Sequence, residues 1–222
     1  MNSQTGRNLA SASPKNAKKD PFVPSASMLC NAWRTHPHSE TDASPEVEAF
    51  PVHTGPHETC PVSRMIALTD SRSTIQNAIN ALTNNHGTST QVGLLWGWRA
   101  LSPEWQGFWY PDQPELPLGH AETPGKHLVI MTDGENHPKQ SGDSQSVEEV
   151  NAQLVRQCQA MRAEGYTLYA VTYYMNGSLT DLYTACTGDS TRVYDANSAE
   201  ELSVAFESIG GSLVKSALRL TR

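Results

Sequence analysis

The sequence predicts an α/β fold, a partial doubly wound parallel sheet of the Rossmann-like kind with flanking helices, and three observations predict it. Residues 127–132, His-Leu-Val-Ile-Met-Thr, form a continuous apolar run bounded by turn residues, the pattern of a strand covered on both faces. Residues 167–173 repeat that pattern. Between the two runs, Ser146 and Glu149 stand at capping-box spacing. They open a helix that carries Val147, Val150, Leu154, Cys158 and Met161 on one stripe and stops at Gly165. Strand and helix in alternation mean parallel strands joined by right-handed crossovers.

The rest of the C-terminal half continues the alternation. A short helix spans about 179–186, and Arg192-Val-Tyr194 reads as a short third strand. A second capping box, Ser198 with Glu201, opens a helix bearing Leu202, Ala205, Phe206, Ile209 and Leu213. Gly210-Gly211 weakens that helix midway.

Upstream, Ile75, Ala78, Ile79 and Leu82 fall on one helical face, with Thr69, Asp70 or Ser71 to cap it and residues 84–87 to end it. A second apolar helix follows over about 90–101, closed by Ser102-Pro103. Trp96 and Trp98 on it read as packing residues, because tryptophan buries a large area. Residues 103–125 hold Trp105, Phe108, Trp109 and Tyr110 among prolines and read as a long loop of the functional or mobile kind. Residues 1–60 are rich in Ser, Pro, Asn, Thr and His without apolar period, a composition that reads as loop or disorder. The predicted organisation is therefore a loop-like segment over 1–60 and an α/β domain over 61–222.

Composition excludes several classes. The hydrophobic fraction of 37% lies below the globular average and fits a chain that packs over only part of its length. The formal net charge is -7; Arg7, Lys15, Lys18 and Lys19 against Asp20 make the first twenty residues +3 and leave the remainder at -10. An acidic body without a basic stripe argues against nucleic acid as the partner. No window reaches the length of apolar sequence that a membrane span needs, and the first residues lack the apolar core of a signal peptide. As written, the chain carries no export or anchoring signal. Cys30, Cys60, Cys158 and Cys186 include no Cys-x-x-Cys pair. Four cysteines fit two disulfides in an oxidising compartment or four buried thiols, with Cys158 to Cys186 and Cys30 to Cys60 as the pairs to consider.

Ligands of open parallel sheets bind beyond the carboxyl ends of the strands. Asp133 stands at such an end, Gly134 permits a tight turn, and Glu135 and Asn136 add oxygen donors. This is the donor chemistry of a hard cation such as Mg²⁺. The run Leu-Val-Ile-Met-Thr-Asp-Gly-Glu-Asn resembles the fourth-strand motif of von Willebrand factor A domains. An ordered set upstream resembles the TadG-like family of tight-adherence (Flp) pilus-assembly proteins: Cys60-Pro61, Leu68-Thr69, Gly87-Thr88, Gly93-Leu-Leu-Trp-Gly-Trp-Arg99 and Leu101-Ser-Pro103. The endings Ala205-Phe206-x-x-Ile209 and Leu218-Arg-Leu-Thr221 fit it too, so the resemblance covers roughly residues 60–222. It implies a non-enzymatic adhesion or assembly module of the cell envelope, with an N-terminal membrane anchor and protein partners among pilus or envelope components. It also implies that Thr88 and Asp133 belong to a metal-ion-dependent adhesion site whose open position accepts a partner's carboxylate.

The sequence departs from that family in its first half. The Asp-x-Ser-x-Ser motif that begins the family's metal site has no counterpart; Asp70-Ser-Arg-Ser-Thr74 carries Arg72 where serine is required. The family's first strands are likewise absent. The expectation is a C-terminal portion of such a protein, from a gene fragment or a misplaced start, with residues 127–132 as an exposed apolar edge; the alternative is that a separate chain supplies the missing strands.

Three competing readings complete the set. Asp133, Glu135 and His137 could serve a metal-dependent hydrolase, although no nucleophile or oxyanion motif accompanies them. A structural pseudo-domain without ligand is the second. The third is a zinc cluster of His36, His38, His53, His57 and Cys60, which has ligands enough but no apolar scaffold.

Overall fold

The computed structural model describes residues 34, 36–50, 65–66, 68–83, 88–109, 113–123, 125–137 and 146–219, with side chains to 215. They fall into two compact units. Residues within 1–86 and 102–117 form one, and residues within 87–101 and 118–222 form the other.

The second unit is the α/β body. Its three strands are β1 (Lys126–Thr132), β2 (Tyr166–Tyr173) and β3 (Val193–Ala196), all parallel, in the order β1-β2-β3. The chain order of helices is α1 (Arg72–Asn80), which lies in the first unit, then α2 (Thr90–Leu101), α3 (Val147–Ala163), α4 (Thr180–Thr187) and α5 (Ala199–Arg219). The expected elements thus appear within a few residues of their predicted bounds.

Alternation along the strands builds two cores. Leu128, Ile130, Leu168 and Ala170 point to the face covered by α2, α3 and α4, where they meet Trp98, Leu154, Met161 and Tyr183. Val129, Tyr169, Val171 and Tyr194 point to the other face, covered by Ala205 and Ile209 of α5. Burial of side chains such as Leu154 and Leu168, both fully enclosed, stabilises by about 1.5–3 kcal/mol each. A disulfide joins Cys158 of α3 to Cys186 of α4, with Cα atoms 5.0 Å apart. Closing a loop of this size stabilises by about 3–4 kcal/mol in the chain-entropy account. Cys30 and Cys60 lie outside the described residues.

Helix ends follow their local chemistry. Ser146 Oγ accepts from the Glu149 amide at 3.2 Å, and Glu149 accepts from the Ser146 amide at 2.7 Å, so both halves of the capping box form. Ser198 Oγ accepts from the Glu201 amide in α5. That helix runs unbroken through Gly210 and Gly211; packing of Ile209 and Leu213 against the sheet offsets the cost of about 1 kcal/mol per glycine. Gly188 stops α4 in the left-handed conformation, φ 72°, and a Cβ there would overlap the Arg162 guanidinium.

In the first unit, residues 36–50, read from composition as loop or disorder, are turns, bends and irregular backbone that carry packed side chains. Arg34, Ser44 and Phe50 are buried, the Arg34 guanidinium sits 4.0 Å from the Phe50 ring centroid, and Trp105 Nε1 donates to the Asp42 carbonyl. Burial lowers the Arg34 pKa to about 10, opposed by Glu48 and Asp42, so the group stays charged at neutral pH. The aromatic stretch after residue 103, read as a long loop of the functional or mobile kind, opens with a 3-10 turn over Pro103–Trp105 and contributes a cluster: Trp105 is fully buried and stacks on Trp109 at 5.3 Å. Helix α1 forms with Ser71 as its cap, yet Ile75, Ile79 and Leu82 stay exposed. Its periodicity records an amphipathic helix without specifying what covers it. His36 and His38 join no metal-type cluster among the described residues, and His53, His57 and Cys60 lie outside them.

Candidate functional site at the carboxyl edge of the sheet

The carboxyl end of β1 is organised by hydroxyl and amide side chains. Thr132 Oγ1 accepts from the Gly134 amide at 3.3 Å and donates to the Gly134 carbonyl at 3.0 Å, which folds the chain sharply after Asp133. A Cβ on Gly134 would stand 3.0 Å from Thr88 Oγ1. Glycine thus gives the Thr88 hydroxyl room against the Asp133-Gly134 turn, where a larger residue would make it shift by a few tenths of an ångström. The His137 amide donates to the Thr88 carbonyl at 2.7 Å, fixing the two segments together.

Asn136 locks this corner. Its Oδ1 accepts from the Thr90 amide at 2.8 Å, and its Nδ2 donates to Asn151 Oδ1 at 2.9 Å. The side chain is buried and satisfies the first turn of α2 while tying it to α3. The sequence offered Asn136 as an oxygen donor for a cation; its oxygen is committed to a helix terminus instead. Tyr183, which sequence reasoning missed, completes the floor. Its hydroxyl donates to Thr90 Oγ1 at 3.3 Å and also bonds Thr132. Burial raises its pKa above the usual phenol range, opposed by those hydrogen bonds, so it stays protonated at neutral pH.

Thr88 and Asp133 open onto one cavity of about 410 Å³, so the two residues matched by resemblance are brought together from separate segments. Asp133, Glu135 and His137 are all exposed. No group of three or more His, Cys, Asp or Glu suited to a metal occurs among the described residues. Magnesium requires near-octahedral oxygen coordination. One carboxylate and one neutral hydroxyl do not by themselves fit a resident Mg²⁺. Among the described residues no side-chain hydrogen bond joins Asp133, Glu135 and His137 to one another.

The neighbouring strand end adds a feature that sequence reasoning also missed. Register places Thr132 beside Thr172, so Tyr173 and Tyr174 follow at the level of the Asp133 turn. Tyr174 adopts φ 58° and Asn176 φ 49°, a region that non-glycine residues enter at a cost of about 1–3 kcal/mol. Tyr174 is 61% exposed, with its ring 4.4 Å from that of Tyr173 in an edge-on stack. Strand β2 was expected to end at Tyr173, as it does. The strained turn has one local signal, the Asn176-Gly177 pair. No protein-family model matches this chain, and neither a curated protein nor a solved structure matches it.

Proposed function

We propose that the chain is a non-enzymatic protein-binding module of the TadG-like pilus-assembly type, meeting its partner at the carboxyl edge of the sheet. The observation that carries this reading is the seating of Thr88 against the Asp133-Gly134 turn. These are the positions the von Willebrand factor A resemblance singles out, and they come from separate segments of the chain. Exposed Tyr174, stacked on half-buried Tyr173 beside them, supports the same reading, since tyrosine supplies large rigid contact area and is enriched at interfaces. In this proposal the adhesion site is incomplete, with two donors and no resident metal, and the contact is made by side chains directly.

The partner is a pilus or envelope component. The Cys158–Cys186 disulfide supports an oxidising compartment. Among the described residues no helix is long and apolar enough to cross a membrane.

A photo-crosslinking amino acid at position 174 in the producing cell tests the reading. Adducts with a pilus or envelope component are expected, reduced by Asp133→Ala. Capture no greater than from a crosslinker at Lys215, near the far end of α5, contradicts it.

A further inference from the structure

The cavity beside β1 has a second meaning, independent of any family resemblance. One wall is α2, where Gly93 leaves the space open, a Cβ there meeting nothing within 4 Å. The other wall is every residue from 128 to 133. Successive strand residues point to opposite faces, so a cavity touching all of them lies along the strand's edge rather than over one face. Among the described residues β1 pairs with β2 alone, which leaves a row of backbone donors and acceptors facing that space.

β1 also lacks the devices that keep an edge from pairing. Its seven residues contain no proline, and its register with β2 runs through seven successive pairs without a bulge. Its lysine does not guard the edge either: Lys126 is buried, with Nζ donating to the Leu101 carbonyl. Met131, inside the apolar run, is 49% exposed.

We propose that this edge pairs with the same edge of a second copy of the chain, β1 antiparallel to β1 across a two-fold axis, giving a six-stranded sheet. An axis normal to the sheet keeps each face continuous, so facing residues share parity. Centred on Ile130, the pairing sets Val129 against Met131 and Leu128 against Thr132. It also sets His127 against Asp133 at both ends. The exposed Met131 is thereby covered, and each Asp133 carboxylate gains an imidazole. Centred on Val129, Asp133 would face Gly125; centred on Met131, it would face Val129. Complementarity therefore selects the Ile130 register. Antiparallel pairing points the two carboxyl edges in opposite directions and leaves exposed Tyr174 at each of them open to partners.

Sedimentation of the full chain across a concentration series tests this. A monomer–dimer equilibrium at micromolar concentration is expected, weakened at least tenfold by Met131→Lys, which is about 1.4 kcal/mol. Thermal melting of dilute Met131→Lys checks that the variant folds. Oxidation of the double variant His127→Cys/Asp133→Cys should give a covalent dimer that neither single variant gives. A chain monomeric throughout, its edge covered by another segment or another protein, overturns the proposal. A dimer indifferent to Met131→Lys, or a double variant that fails to crosslink, overturns it equally.

Discussion

Strands β1 and β2 are nearly interchangeable as text and very different as structure. Both are apolar runs ending in threonine or tyrosine next to turn residues. β2 is bonded on both sides and buries Leu168, Tyr169, Ala170, Val171 and Thr172. Among the described residues β1 is bonded on one side; Leu128 and Val129 are half-buried and Met131 is half exposed. Position in the sheet, more than composition, decides which strand stabilises the fold and which is available for contact. The disulfide and the densest packing gather around β2, whereas the cavity, Thr88 and Asp133 gather around β1.

Substitutions can break or sharpen that contrast. Leu168→Ala in β2 should cost about 2–5 kcal/mol, against about 1–2 kcal/mol for half-buried Leu128→Ala in β1; denaturant midpoints measure both, and equal losses would remove the contrast. Replacing Cys158 and Cys186 together by serine should cost about 3 kcal/mol in the same assay. Loss of the Ser146 cap on α3, through Ser146→Ala, should cost about 1 kcal/mol. Met131→Lys should change the stability of the dilute chain by less than about 0.5 kcal/mol, because that side chain already meets solvent. At the carboxyl end of β1, titration calorimetry with Mg²⁺ should release no more heat from the native chain than from Asp133→Ala. A saturable signal in the native chain alone would restore the metal site.

What could be read in advance followed the range of the interactions involved. Helices α2 and α3 and strands β1 and β2 are specified by local period, by Ser146 with Glu149, and by flanking turn residues, so their bounds were legible within a residue or two. The packing of residues 36–50 onto Trp105 depends on contacts such as that between the Trp105 indole and the Asp42 carbonyl, and no local pattern records such a pairing. The same holds at the site. Asp133 is marked by its place after an apolar strand. Asn136 carries the same oxygen chemistry whether it binds a cation or a helix terminus, and only the fold assigned it to Thr90. Tyr183 looked like one aromatic in a short helix until tertiary structure set its hydroxyl between Thr90 and Thr132.

Amide hydrogen exchange along β1 tests the contrast with β2 most directly. In the dilute Met131→Lys chain, amides of β2 should all be strongly protected, while alternate amides of β1, those facing the free edge, exchange about a hundredfold faster than their neighbours. At high concentration of the native chain, that alternation should vanish as the edge pairs. Uniform protection along β1 in the dilute variant would contradict the account, since it would mean that the edge is already covered.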